Sequence, residues 1–122
     1  MNIIKDLLLV GAGGFLGAAA RYGVYLFFAA RAMNNFPLAT LTVNAAGSFL
    51  IGLLGAILPA NCVWRLFFVV GILGGFTTFS TFSHETMVLL NNGRYLHAFL
   101  NILLNVILCL IFVFAGFKIG SL

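Results

Sequence analysis

Polar positions are sparse in this chain, and where they gather they cut an almost continuous apolar sequence into four runs. The first covers about residues 4–29 and closes near "ARAMNNFP"; the second, about 38–58, opens after Pro37 and stops at "PANCVWR". The third, about 66–90, stops at "NNGR", and the fourth, about 95–117, stops at "KIGSL". A helix needs about 20 residues to cross the hydrocarbon core, and each run is about that long. The pattern predicts an all-α integral membrane protein. It is a single four-helix domain over 1–122, surrounded by membrane lipid, with no stretch left over for a soluble domain.

Composition sharpens that reading. The chain is 63% hydrophobic and 7% charged, with a mean hydropathy of +1.19, whereas soluble domains carry about a quarter charged residues. Its six cations stand singly at Lys5, Arg21, Arg31, Arg65, Arg94 and Lys118, so no basic cluster exists to bind nucleic acid. Cys62 and Cys109 lack both CxxC spacing and a histidine cluster, which argues against metal and disulfide frameworks and for two small buried thiols. The stretch "LLLVGAGGFLGAAA" has the look of a secretion signal, but Lys5 is offset by Asp6 and the apolar character resumes after Arg21 with "YGVYLFFAA". The first run is therefore expected to stay as a span.

Four spans put both termini on one side. Lys5, Arg65 and Lys118 then face one compartment and Arg31 and Arg94 the other, three against two, with Arg21 inside a helix. So small a bias hardly specifies orientation. One reading is that one extra cation suffices; the other is dual topology, with the chain paired to its inverted copy about a two-fold axis. Gly13 stands four before Gly17, and Ser48 four before Gly52, a small-xxx-small spacing that lets helix backbones approach closely. "GAGGFLG" also echoes a dinucleotide-binding glycine loop, but the βαβ unit and the following acidic residue that such a loop requires are missing.

The densest polar cluster, "GGFTTFSTF" (residues 74–82), falls in the middle of the third run. Gly74 and Gly75 followed by two threonines are poor helix material, so the third helix is expected to be broken at its midpoint, freeing backbone carbonyls. At membrane depth such a break is tolerated where it is buried in protein or lines a cavity. Freed carbonyls there suit a monovalent cation. In a helix after the break, Phe79 and Phe82 are neighbours at i,i+3, with Ser80 and Thr77 on one flank and Thr78 and Thr81 on the other. The plain alternative is packing by the rings and back-bonding of the hydroxyls to i−4 carbonyls.

"GGFTTFSTF" followed by "SHETMVLLNNGRY" resembles the signature of the Fluc (CrcB-type) fluoride channels, and "GGFLGAAARY" and "TLTVNAAGSFLIG" are similar to that family's other two motifs, in the same order. The resemblance covers about the whole chain. It implies a passive fluoride channel of a bacterial inner membrane that exports cytoplasmic fluoride to lower its toxicity. It implies further a dual-topology homodimer with two pores and a central structural Na⁺. The carbonyls of Gly74 and Thr77 would hold the sodium, Phe79 and Phe82 would be pore phenylalanines, and Asn44 would donate to fluoride. On the fourth helix the family usually has Tyr and Ser where this chain has Asn101 and Asn105. These amides either take over the polar track or join helices.

Chemistry makes those roles coherent. An aromatic ring has an electropositive C–H edge that attracts a small anion without gripping it as a full charge would, and weak binding permits conduction. Asn44 has two N–H donors and Ser80 and Thr81 have hydroxyls to replace fluoride's water, although Asn44 is also suited to a helix–helix hydrogen bond. Arg21 either snorkels from near its span's end or acts as a vestibule cation drawing anions inward. Glu85 does not welcome an anion; it is expected to pair with Arg21 or to cap a network. The competing function is a small proton-coupled exporter of organic cations, which requires a mid-span carboxylate that none of the four midpoints has. An intramembrane enzyme built on a Ser80–His84 dyad would need an oriented partner for His84, and none is visible.

Overall fold

Helix α1 (Ile3–Ala30) starts where Asn2, its backbone extended, accepts the Lys5 amide on its side-chain oxygen at 3.3 Å, satisfying one of the orphan N–H groups of the first turn. Helix α2 (Leu38–Ile57) follows Pro37, whose missing N–H is no loss at a helix start. It is closed from outside: Arg65 Nη1 donates to the carbonyls of Leu58 at 3.0 Å and Gly55 at 3.4 Å. The computed structural model describes residues 2–31 and 35–122, so the centre of the "ARAMNNFP" stretch lies outside the described residues.

The third span, Val63–Asn91, is assembled from four pieces. A turn, α3 (Val63–Arg65), runs into a π-helical stretch (Leu66–Leu73), then α4 (Gly74–Phe76), then α5 (Phe79–Asn91). Between α4 and α5, Thr77 (ψ 159°) and Thr78 (φ −154°, ψ 119°) are extended. The chain then turns at Gly93, whose φ of 70° is the left-handed conformation that glycine adopts without strain, and the Arg94 amide closes on the Leu89 carbonyl at 2.9 Å. Helix α6 (Tyr95–Gly120) completes four helical spans of 28, 20, 29 and 26 residues. Among the described residues every regular element is helical.

Packing is pairwise. Helix α1 lies on the π stretch and α4, while α2 lies on α6, with α5 against α6. Backbones set both crossings. Across the first, Gly13 meets Gly71, Gly17 meets Ile72 and Phe76, and Gly75 meets Gly14; across the second, Gly52 meets Val113 and Phe117 while Gly116 meets Phe49 and Leu53, each where a Cβ would collide with main chain. The expected Gly13/Gly17 pair thus meets a partner helix that carries its own glycines at four-residue spacing, Gly71 and Gly75, whereas of Ser48 and Gly52 only Gly52 makes such an approach and Ser48 lines a groove between α2 and α6.

Gly75 corrects the expected position of the interruption. Gly74 and Gly75 are helical, and an ideal Cβ on Gly75 would lie 2.5 Å from the Gly14 carbonyl oxygen, so this glycine serves close packing. Gly75→Ala is therefore expected to destabilise the fold by about 1–3 kcal/mol, read as a lowered midpoint in thermal unfolding in detergent.

The interior is unusually polar. Val43, Leu73, Phe82, Leu89 and Ala98 are buried together with Thr40, Thr78, Thr86, Asn101 and Asn105, while Phe15, Leu110 and Phe114 point outward. Such inversion suits a chain whose surroundings are apolar.

Candidate functional site

A groove of about 760 Å³ runs along α2, the third span and α6. It gathers residues distant in sequence: Asn44 from α2, Thr77, Thr78, Phe79 and Phe82 from the interruption and the turn after it, and Asn105 from α6. The Phe79 and Phe82 rings lie 5.4 Å apart at 54°, so the expected i,i+3 pair forms. They differ in exposure: Phe79 is 79% exposed on the open side of the groove, Phe82 only 8%.

The interruption is held by a side chain. Asn44 Oδ1 accepts the Thr78 amide at 2.8 Å and Asn44 Nδ2 donates to the Thr78 carbonyl at 3.1 Å, so one amide pairs with both backbone groups of one extended residue. Unpaired, those groups would be expensive at membrane depth. Thr78 also caps α5: its Oγ1 accepts the Thr81 amide at 3.1 Å and donates to Thr81 Oγ1 at 3.0 Å, with Ser80 Oγ at 3.4 Å. Thr78 thus gathers the hydroxyls of both flanks that the helical stripe would separate. The back-bonding habit is present too, at Thr77, Ser83 and Thr86, each donating to its i−4 carbonyl at 2.8–2.9 Å.

The other hydrogen of Asn44 Nδ2 goes to Asn105 Oδ1 at 3.0 Å, so both of its donors are committed within the protein. Asn105 in turn donates to Asn101, which is completely buried and donates to Thr86 Oγ1 at 3.0 Å. The two α6 amides, one turn apart, therefore join α6 to α2 and α5.

Arg21 does not meet Glu85. Its Nη1 donates to the Thr77 carbonyl at 3.3 Å, and Glu85 Oε1 instead accepts from Thr40 Oγ1 at 2.7 Å, with the Tyr25 hydroxyl 3.0 Å from the same threonine. Of the two expected roles Glu85 takes the second, capping a hydroxyl network, because Thr40 and Tyr25 face the carboxylate from α2 and α1 while Arg21 reaches toward the interruption. Nothing in the local sequence around Thr40 or Tyr25 signalled this contact. Glu85, His84 and Arg94 line a second cavity of about 530 Å³. Arg94 also donates to the Asn35 carbonyl, fastening the α5–α6 turn to the segment before α2. Ser80 and His84 do not form a dyad: the Ser80 hydroxyl meets Thr78, and His84 lines the second cavity.

Two carbonyls were expected to hold a cation. The Thr78 N–H, which would close an α-helical turn on the Gly74 carbonyl, is drawn away by Asn44, and Gly74 itself has open space where a Cβ would stand. Gly74 and Thr77 both line the groove. Hard, neutral oxygens suit a monovalent cation, although Arg21 shares the Thr77 carbonyl.

A family model described as CrcB-like protein, Camphor Resistance (CrcB), matches residues 8–117. The fluoride-specific ion channel FluC of Elusimicrobium minutum is similar to this chain, with 51% identity over 123 residues, covering 100% of this chain and 98% of the relative. FluC of Campylobacter lari is 47% identical over 96% of this chain and 98% of its own, and FluC of Pyrococcus abyssi 45% identical over 96% of each.

Proposed function

The chain belongs to the CrcB family of fluoride channels, and we propose that it conducts fluoride along the groove bounded by Asn44, Phe79, Phe82 and Asn105. It is a multi-pass membrane transporter, not an enzyme, which sets aside the serine-dyad and proton-coupled exporter readings. The observation that carries the proposed path is the meeting, in one groove, of an aromatic pair with the point where the third span leaves its helix.

The groove is open along one side, and Phe79 lies on that side. An inverted second copy would cover it and bring a second Phe79 to the axis, giving a homodimer with two equivalent paths. The third span then acts as two half-helices meeting at Thr77–Thr78. The carbonyls of Gly74 and Thr77, with the same pair from the inverted copy, would hold a structural sodium ion, whose charge would tie the two interruptions to each other.

Within each path the Phe79 and Phe82 edges attract the anion by C–H polarity, and the Ser80 and Thr81 hydroxyls offer O–H donors beside them. Arg21 supplies positive charge close to the interruption and draws anions inward. Asn44 contributes less as a free donor than as the clamp that fixes Thr78. In a bacterial inner membrane this passive path exports cytoplasmic fluoride and so lowers its toxicity.

Orientation gives a direct test of the assembly. With cations divided three against two, a C-terminal reporter is expected to register on both faces of the membrane, and two lysines added beside Arg31 should drive it to one. A parental reporter confined to one face would remove the inverted pairing.

A further inference from the structure

The groove residues do not stand alone; five hydrogen bonds link them in one direction. The Thr78 N–H donates to Asn44 Oδ1 at 2.8 Å, and Asn44 Nδ2 donates to Asn105 Oδ1 at 3.0 Å. Asn105 Nδ2 donates to Asn101 Oδ1 at 3.0 Å, and Asn101 Nδ2 to Thr86 Oγ1 at 3.0 Å. Finally Thr86 Oγ1 donates to the Phe82 carbonyl at 2.8 Å. The chain leaves the third span at the interruption, crosses α2 and α6, and returns to the third span one turn later.

Its direction is forced. A backbone N–H can only donate and a carbonyl only accept, so Thr78 fixes which end of the Asn44 amide faces it. Asn44 then presents an N–H to Asn105 and sets that amide, and Asn105 sets Asn101 in the same way. Each intermediate group both accepts and donates, the arrangement in which hydrogen bonds polarise one another in a low-dielectric interior.

We infer that Asn101, Asn105 and Thr86 are positioning residues that act on the path through this chain, holding Thr78 and Phe82 in register, and that Asn101 and Thr86 do not contact the anion. Asn101 is completely buried, and Thr86 is 8% exposed. Asn105 Nδ2 donates to both Asn101 Oδ1 and the Asn101 carbonyl, each at 3.0 Å, so this amide nitrogen is engaged within the protein. The inference deepens the fluoride-channel reading and rests on it for the flux readout alone.

Thr86→Val tests it, because valine keeps the shape, removes both the acceptor for Asn101 and the donor to Phe82, and sits away from the groove. Flux into a fluoride electrode from proteoliposomes is expected to fall roughly tenfold. Hydrogen exchange at the Thr78 amide, about two turns away, should rise by a similar factor. Thr86→Ser should restore both. Because Thr86→Val strands a buried donor, Asn101→Leu/Thr86→Val is the companion variant: it deletes both partners, leaves Asn105 the Asn101 carbonyl, and should show the same two effects in a well-assembled protein. Parental flux in the assembled double variant, or unchanged Thr78 exchange in either, overturns the inference. Should the parental protein itself conduct no fluoride, the channel reading fails, while the exchange measurement still decides the hydrogen-bond chain.

Discussion

Phe79→Ile and Phe82→Ile are each expected to lower fluoride flux by up to about tenfold, the two effects arising from one lost property. Isoleucine keeps apolar bulk but has no electropositive edge, and an edge interaction of about 0.5–1.5 kcal/mol is enough to change a crossing rate by up to about tenfold. The variants should part company in stability. Phe79 is 79% exposed in the protomer, so its replacement leaves internal packing alone, whereas Phe82 is 8% exposed and its replacement should cost about 1–2 kcal/mol in thermal unfolding. Were the rings only packing, Phe79→Ile would conduct normally and any loss at Phe82 would follow its stability. Parental flux in both variants removes the aromatic pair from the path.

Asn44→Asp should be more damaging still. Asn44 Nδ2 donates to the Thr78 carbonyl and to Asn105 Oδ1, at 3.1 and 3.0 Å. A carboxylate there would meet two acceptors with no hydrogen to offer either, beside a path meant for an anion. Losing the partner of a buried polar group costs about 1–3 kcal/mol for each group left unpaired, so a fall in stability is expected together with nearly complete loss of flux. Thermal unfolding and electrode-detected efflux on the same preparation check both. A stable Asn44→Asp protein with undiminished efflux would show that neither the clamp nor the neutral amide matters.

What could be read from the sequence followed from period and length. Four apolar runs at membrane-spanning length gave four spans to within a few residues, and i,i+3 spacing brought Phe79 to Phe82. Glycine misled the reading at Gly74–Gly75, because propensity sees a weak helix former and cannot see Gly14 pressed against Gly75. The extended residues are Thr77 and Thr78, and Asn44 holds Thr78 from 34 positions away. No local signal carries that distance. The same limit hid the Tyr25–Thr40–Glu85 network, formed by three spans, and the role of Thr86, which in sequence is one more hydroxyl among several. The π-helical stretch at Leu66–Leu73, within which Gly71 closely approaches the Gly13 backbone, had no signature in a run of aliphatic and aromatic residues.

The measurement that bears most directly on the whole account is fluoride efflux from proteoliposomes containing the purified chain alone, loaded with potassium fluoride and made permeable to potassium. Rapid release of fluoride at the electrode is expected, with little release of chloride from matched vesicles and strong suppression by Phe79→Ile. Release no faster than from protein-free vesicles, or equal release of both anions, would contradict the channel reading.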